Sequence, residues 1–124
     1  MGLLYQTEAR GRPPRMKLAQ TPAVLRFASG DRVQGRLQVI SVTGGLLWLN
    51  SPVDLGSRAN VMFLMDSGAV SGAAEMLKPI SGTQQAFKFV EIGKVERNRL
   101  QNAIEASAQQ SFSDHHSIER HRAW

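Results

Sequence analysis

The sequence contains no cysteine among its 124 residues, and this absence excludes a whole group of structures and mechanisms. Disulfide bridges, thiolate zinc sites and cysteine nucleophiles all require residues that the chain does not have. Aromatic residues make up only 6%, which leaves little material for a row of exposed rings on which bases could stack. No stretch approaches the roughly 18 consecutive apolar residues typical of a membrane-spanning helix. We therefore expect a cytoplasmic protein with an ordinary hydrophobic core, which 42% of apolar residues can build.

Motifs that carry known catalytic chemistry are also missing. No glycine-rich loop ends in Lys-Ser or Lys-Thr, and neither a GxSxG nor an HExxH pattern occurs. Histidine and acidic residues gather only near the end of the sequence: Asp114, His115, His116, Glu119 and His121. Metal sites need three or four ligands on a rigid scaffold, which a terminal tail does not supply. We therefore expect neither an enzyme nor a bound metal or cofactor.

Positive charge is concentrated at the beginning of the chain. Residues 1–36 contain seven basic and two acidic residues, so this segment alone accounts for the net charge of +5. Within it, RGRPPR (10–15) places Arg10, Arg12 and Arg15 beside two prolines, which favour an extended backbone. Guanidinium groups pair well with phosphate oxygens and can grip or stack on a base. The distribution favours an anionic partner, with a solvated basic linker as the alternative.

Six short strand-like segments follow, separated by turn signals rich in glycine, serine and aspartate. The predicted strands are VLRF (24–27), RVQGRLQVIS (32–41), LLWLN (46–50), ANVMFLM (59–65), AVSGAAEMLK (69–78) and QAFKFVEI (85–92). In the second strand a period of two assigns Val33, Leu37 and Val39 to one apolar face. Because no helix interrupts the strands, the pattern predicts a small antiparallel barrel.

The periodicity changes after the last strand. From Lys94 to about Gln109, apolar and small residues recur at spacings of three and four, which predicts an amphipathic helix docked on the barrel. The expected organisation is a flexible basic arm over residues 1–20, a barrel with its closing helix over residues 21–109, and a polar tail over residues 110–124.

The arm and the first turns resemble the PilZ domain family, whose members are six-stranded antiparallel β-barrels that bind the bacterial messenger cyclic di-GMP. The family carries an RxxxR motif in an N-terminal arm, and GRPPR (11–15) matches its spacing and its final arginine. A second motif, (D/N)xSxxG, follows the family's second strand, and VISVTG (39–44) matches its serine and glycine. FKFVEIGKVERNRLQNAIE (87–105) is similar to the family's last strand and closing helix, so the resemblance covers roughly residues 8–106.

Two positions depart from the family pattern. Gly11 stands where the family has its first arginine, and Val39 stands where it has an aspartate or asparagine that accepts hydrogen bonds from guanine. Arg10 and Arg12 flank the first position and could replace its contact. Each lost hydrogen bond with a charged partner costs about 1.5–3 kcal/mol, which is roughly 10- to 150-fold in affinity. Ser41 and the glycines after it also have a structural interpretation, as residues that shape a tight turn.

The resemblance implies a non-enzymatic cyclic di-GMP effector whose ordered arm signals to a bacterial motility, secretion or polysaccharide protein. The residues expected to bind the ligand are Arg10, Arg12, Arg15, Ser41 and Gly44. One alternative is a degenerate PilZ adaptor that binds no nucleotide and acts by protein contact, which the changes at Gly11 and Val39 favour. Another is a small barrel that binds RNA or single-stranded DNA, which the charge permits and the low aromatic content disfavours.

Overall fold

The computed structural model describes residues 13–51 and 53–122, with side chains as far as Ala108. The elements are β1 (Met16–Phe27), β2 (Arg32–Ser41), β3 (Gly44–Trp48), β4 (Arg58–Met65), β5 (Gly68–Pro79), β6 (Gln84–Ile92) and α1 (Lys94–Arg122). The strands close into an antiparallel barrel in the order β1-β2-β3-β6-β5-β4. The predicted all-β fold, a six-stranded antiparallel β-barrel with a C-terminal helix, is confirmed.

Alternating side chains fill the interior of this barrel. In β4 burial alternates residue by residue, so that Ala59, Val61 and Phe63 point inward and the residues between them are exposed. The largest fully buried apolar side chains are Leu25, Leu37, Ile40, Leu47, Leu49, Met76 and Leu100. Full burial of a side chain of this size contributes about 1.5–3 kcal/mol, so the core supplies the main driving force for closing the barrel.

The first strand is longer than the sequence pattern predicts, because it begins at Met16 rather than at Val24. A bulge interrupts this strand: between the pairs Lys17–Val39 and Thr21–Leu37, three residues of β1 lie opposite one residue of β2. Because the bulge breaks the regular alternation of side chains, periodicity did not predict the first part of the strand. Gln20, inside this bulge, has a φ of 59°, which is uncommon for a residue other than glycine. The start of β1 therefore lies within the fold, next to the end of β2.

A second bulge changes which residues of β2 face the core. Leu37 pairs with Leu47 and Val39 with Leu46, so Gln38 is the extra residue. The assignment of Val39 to the same apolar face as Leu37 is therefore wrong. After the bulge it is Ile40, fully buried, that enters the core, while Val39 is half-buried on the outer side.

The predicted helix is present and packs on the barrel chiefly through β5. Leu100 and Ile104 are its buried contacts with the core. The Arg99 guanidinium also donates a hydrogen bond of 2.7 Å to the carbonyl oxygen of Ala69. Helical backbone continues to Arg122, beyond the predicted end near Gln109. Among the described residues, no helix is both long and apolar enough to cross a membrane.

Candidate ligand-binding groove

A groove of about 630 Å³ lies on the outer face of the barrel where β2, β3, β6 and the end of β5 meet. Its lining residues are Arg15, Val39, Ser41, Thr43, Gly44, Gly45, Leu46, Leu77, Ile80, Ala86, Phe87 and Lys88. This volume falls within the range of about 300–1,000 Å³ that small-molecule sites usually have. The groove is therefore large enough for a ligand of nucleotide or dinucleotide size.

The floor of the groove is an apolar row that crosses three strands. Val39 of β2 pairs with Leu46 of β3, which in turn pairs with Ala86 of β6. All three side chains are half-buried and point outward, because each lies next to a strand neighbour that is buried in the core: Ile40 beside Val39, Leu47 beside Leu46 and Phe87 beside Ala86. Leu77 and Ile80 extend the apolar surface on the β5 side. Such a surface suits the flat face of a base or another apolar group.

Gln85 supports this floor from inside the barrel. Its side chain is 1% exposed, and its Nε2 donates to the carbonyl oxygens of Leu77, at 2.6 Å, and Ala86, at 2.9 Å. The bond to Leu77 connects β6 to the irregular end of β5, where the pairing shifts between Met76 and Pro79, while the bond to Ala86 stays within β6. Leu77 is thereby held beside Ala86 at the edge of the groove.

A tight turn between β2 and β3 forms one wall of the groove, and the Ser41 hydroxyl is used entirely within it. Ser41 Oγ donates to the carbonyl oxygen of Gly44 at 3.2 Å and accepts from the backbone amide of Thr43 at 3.3 Å. Thr43 Oγ1 lies 3.1 Å from Ser41 Oγ, and either hydroxyl can donate to the other. The Thr43 hydroxyl, on an exposed residue, has further hydrogen-bonding capacity for a ligand.

Two glycines in this turn allow neighbouring strands to approach closely. A Cβ on Gly44 would collide with the carbonyl oxygen of Phe87 and lie 2.8 Å from Lys88 Cα. A Cβ on Gly45 would collide with the carbonyl oxygen of Val39. The absence of a side chain at both positions keeps the floor continuous from β2 to β6, and glycine is needed at Gly44 for packing as well as for the turn.

Positive charge borders the groove on two sides. Arg15 is exposed and directly precedes Met16, whose pairing with Ile40 places the start of β1 beside the end of β2. Lys88 pairs with Gly44, so its side chain rises next to the turn. Lys88 Nζ lies 3.8 Å from Glu75 Oε1, but its side chain is 54% exposed. An exposed ion pair of this kind contributes about 0–1 kcal/mol, so Lys88 can turn toward an anion in the groove.

The structure brings together three of the five predicted site residues: Arg15, Ser41 and Gly44 all line this groove. Arg10 and Arg12 lie outside the described residues. The sequence did not predict two further polar residues that line the groove, Lys88 and Thr43. The alternation of QAFKFVEI does place Lys88 on the outer face with Ala86, but only the pairing of β3 with β6 shows that this face borders the turn.

The other residues weighed from the sequence have structural roles or lie elsewhere. Arg32 and Arg36 are exposed and do not line the groove, and Arg36 Nη1 donates to Gln20 Oε1 at 3.3 Å. Trp48 is half-buried on β3 and pairs with Arg36. Within the described residues, no three histidine or acidic side chains come close enough to hold a metal ion. The side chains of the cluster at 114–121 lie outside the description.

A closed antiparallel barrel with this strand order, with an arginine directly before its first strand and a docked helix after its last, is the fold of PilZ domains. The chain is similar to the PilZ domain with c-di-GMP of YcgR from Escherichia coli, with a TM-score of 0.68 and 15% sequence identity over 83% of this chain and 95% of that one. It is also similar to YcgR in complex with c-di-GMP from the same organism, with a TM-score of 0.72 and 18% identity over 86% of this chain.

A third similar structure is the PilZ domain of CeSA from a cellulose-synthesizing bacterium, with a TM-score of 0.60 and 16% identity over 74% of this chain and 95% of that one. The chain spans 50% of the longer YcgR chain, so it corresponds to one domain of that protein. No family model and no curated protein sequence matches the chain. At these identities the similarity shows the PilZ fold, which the resemblance in the sequence predicted.

Proposed function

We propose that this chain is a PilZ-type effector that binds cyclic di-GMP in the groove beside the β2–β3 turn and signals to a partner protein through ordering of its N-terminal arm. The observation that carries the proposal is the convergence of Arg15 with the Ser41–Gly44 turn on one groove of suitable volume. Two solved structures with this fold are described as complexes with c-di-GMP. Binding, rather than catalysis, is the activity that these residues support.

In the proposed complex, the phosphates lie between Arg15, which precedes β1 on the β2 side of the groove, and Lys88, on β6 at the other side. Arg10 and Arg12 of the arm add further guanidinium groups, whose planar donor forks match phosphate oxygens. Ser41 contributes by holding the turn, because its hydroxyl is fully engaged there. Gly44 contributes by leaving room for the ligand and for β6.

Calorimetric titration of the full chain with cyclic di-GMP tests this proposal. We expect saturable binding that weakens about 10- to 150-fold in Arg15→Ala, because one charged hydrogen-bonding group is lost. Arg32→Ala is the matched control, since it removes the same charge from an exposed strand position outside the groove. Equal affinities of the two variants would contradict the assignment of Arg15, and unchanged binding after substitution of Arg10 and Arg12 would contradict the role of the arm.

A degenerate adaptor that binds no nucleotide is the second candidate, and the apolar side chain of Val39 in the groove favours it. On this reading, the chain keeps the barrel and acts through protein contacts. No heat of binding at millimolar cyclic di-GMP, together with retained structure, would favour this candidate over the first.

A further inference from the structure

A row of charged side chains crosses the outer face of the barrel and ends at the groove. Lys88 of β6 pairs with Gly44 of β3 on one side and with Glu75 of β5 on the other. Glu75 in turn pairs with Arg58 of β4. Residues directly opposite one another on neighbouring strands point to the same face and are close enough to interact. The row therefore links Lys88, which lines the groove, to two charged residues that do not line it.

The Lys88 ammonium has two directions in which it can lie. On the β5 side it meets the Glu75 carboxylate, whose Oε1 is 3.8 Å from Lys88 Nζ. On the β3 side it meets Gly44, which has no side chain to oppose it. Lysine carries its charge on a flexible four-carbon stem. The same side chain can therefore reach either the carboxylate or an anion that lies in the groove beside the β2–β3 turn.

The contacts of the Glu75 carboxylate are loose enough to be exchanged. Arg58 Nη2 lies 4.0 Å from the same Oε1 that faces Lys88, and both distances exceed those of a hydrogen bond. The Glu75 side chain is 29% exposed, so solvent screens its charge less than that of the two cations. When Lys88 turns away, Arg58 still faces the carboxylate. The exchange therefore does not leave Glu75 without a counter-charge.

On the basis of the function proposed above, we propose that Glu75 competes with the ligand for Lys88. Its carboxylate holds the ammonium on the β5 side, and a phosphate in the groove has to displace it. Glu75 is a positioning residue, because it acts through Lys88 and does not itself line the groove. Arg58 assists the exchange by retaining the carboxylate. The affinity for the anion is thus set partly by two residues outside the groove.

A double-mutant cycle on the full chain tests this inference. Calorimetric titrations with cyclic di-GMP compare the wild-type protein, Glu75→Gln, Lys88→Met and the double variant at about 0.05 M salt, where screening is weak. We expect Glu75→Gln to tighten binding about two- to fivefold, since fivefold corresponds to the upper limit for an exposed ion pair. The same change should have no effect in the Lys88→Met background, because the competition acts through the ammonium group.

Glu91→Gln is the matched control for charge. It removes the same negative charge from an exposed position of β6 that does not line the groove, and its affinity should equal that of the wild-type protein. Glu75→Ala removes the carboxylate without introducing an amide, and it should tighten binding as Glu75→Gln does. Unfolding midpoints of all variants show which of them are folded, and either Glu75 variant suffices for the cycle.

Each outcome either supports or overturns the inference. Wild-type binding that is not tightened in Glu75→Gln would overturn it and leave the proposed function standing. Equal tightening with and without the Lys88 ammonium, or in Glu91→Gln, would also overturn it, because the effect would then be one of net charge. Binding that becomes measurable only in the Glu75 variants would support it. Failure of every variant to bind would overturn the proposed function and this inference with it.

Discussion

At the scale of single residues, Ser41, which belongs to the second PilZ-like motif, stabilises the turn between β2 and β3. Its hydroxyl makes three hydrogen bonds inside a four-residue turn, and the side chain is 8% exposed. A buried hydroxyl with every partner satisfied stabilises the turn, whereas the same group directed at a ligand would have to break one of these bonds first. In the proposed complex, the serine therefore acts by fixing the positions of Thr43 and Gly44.

Replacing Ser41 by alanine should lower the free energy of unfolding by about 1–3 kcal/mol, because the buried Gly44 carbonyl and the partly buried Thr43 amide each lose a partner. Urea denaturation followed by circular dichroism measures the change. Ser29→Ala is the matched control: Ser29 makes similar local bonds to Asp31, but in an exposed turn. A loss at Ser41 no larger than the loss at Ser29 would show that the turn does not depend on this hydroxyl.

At the scale of elements, two bulges determine how the strands present the groove. The bulge in β2 turns Val39 outward and Ile40 inward, and the bulge in β1 brings Arg15 and Met16 next to the end of β2. Strand alternation predicted β4 well, because no bulge interrupts it. It failed for Val39, because one extra residue reverses every side chain that follows it.

The close approach of β3 and β6 provides a prediction at this scale. Gly44→Ala should lower the free energy of unfolding by about 2–4 kcal/mol, because the new methyl group meets the backbone of Phe87 and Lys88, which cannot move aside as a flexible side chain could. Gly82→Ala is the control, since open space surrounds that position. Thermal unfolding of the two variants compares them directly. A Gly44→Ala protein as stable as Gly82→Ala would mean that the two strands are further apart than described.

At the scale of the whole molecule, charge and shape are unevenly distributed. The net charge of +5 belongs to residues 1–36, a segment that contains the groove residue Arg15, all of β1 and the first half of β2. Basic and acidic residues balance in the rest of the chain, where some of them form exposed ion pairs such as Arg58–Glu75, at 4.0 Å. An excess of positive charge concentrated in one part of the chain, with exposed arginines at the groove and along the first two strands, attracts anions.

This asymmetry predicts a salt dependence of cyclic di-GMP binding. Raising the ionic strength from about 0.05 M to about 0.5 M should weaken binding by about tenfold, because the Debye length falls to a few ångströms and exposed arginines are screened. The double variant Arg10→Ala with Arg12→Ala should show a smaller dependence. Titrations at four salt concentrations measure both slopes. Identical slopes would indicate that the arm takes no part in attracting the ligand.

The sequence by itself determined the class of fold and the location of the charge. The strand-like alternation of six segments and the helical period from Lys94 are local properties of the sequence. Together they predicted a six-stranded barrel closed by a helix. Arg15, Ser41 and Gly44 could be predicted as site residues because the spacing of two short motifs in the chain resembles that of the PilZ family.

Only the tertiary structure decided which side chains form the groove. Gly44 meets Lys88, and Val39 meets Leu46 and then Ala86, because strands distant in sequence pair in one particular register. Register depends on bulges and on the packing of the whole core, and neither has a local signature that periodicity can detect. For this reason the sequence placed Val39 on the apolar face with Leu37, whereas the folded chain places it on the outer face, among the residues that line the groove.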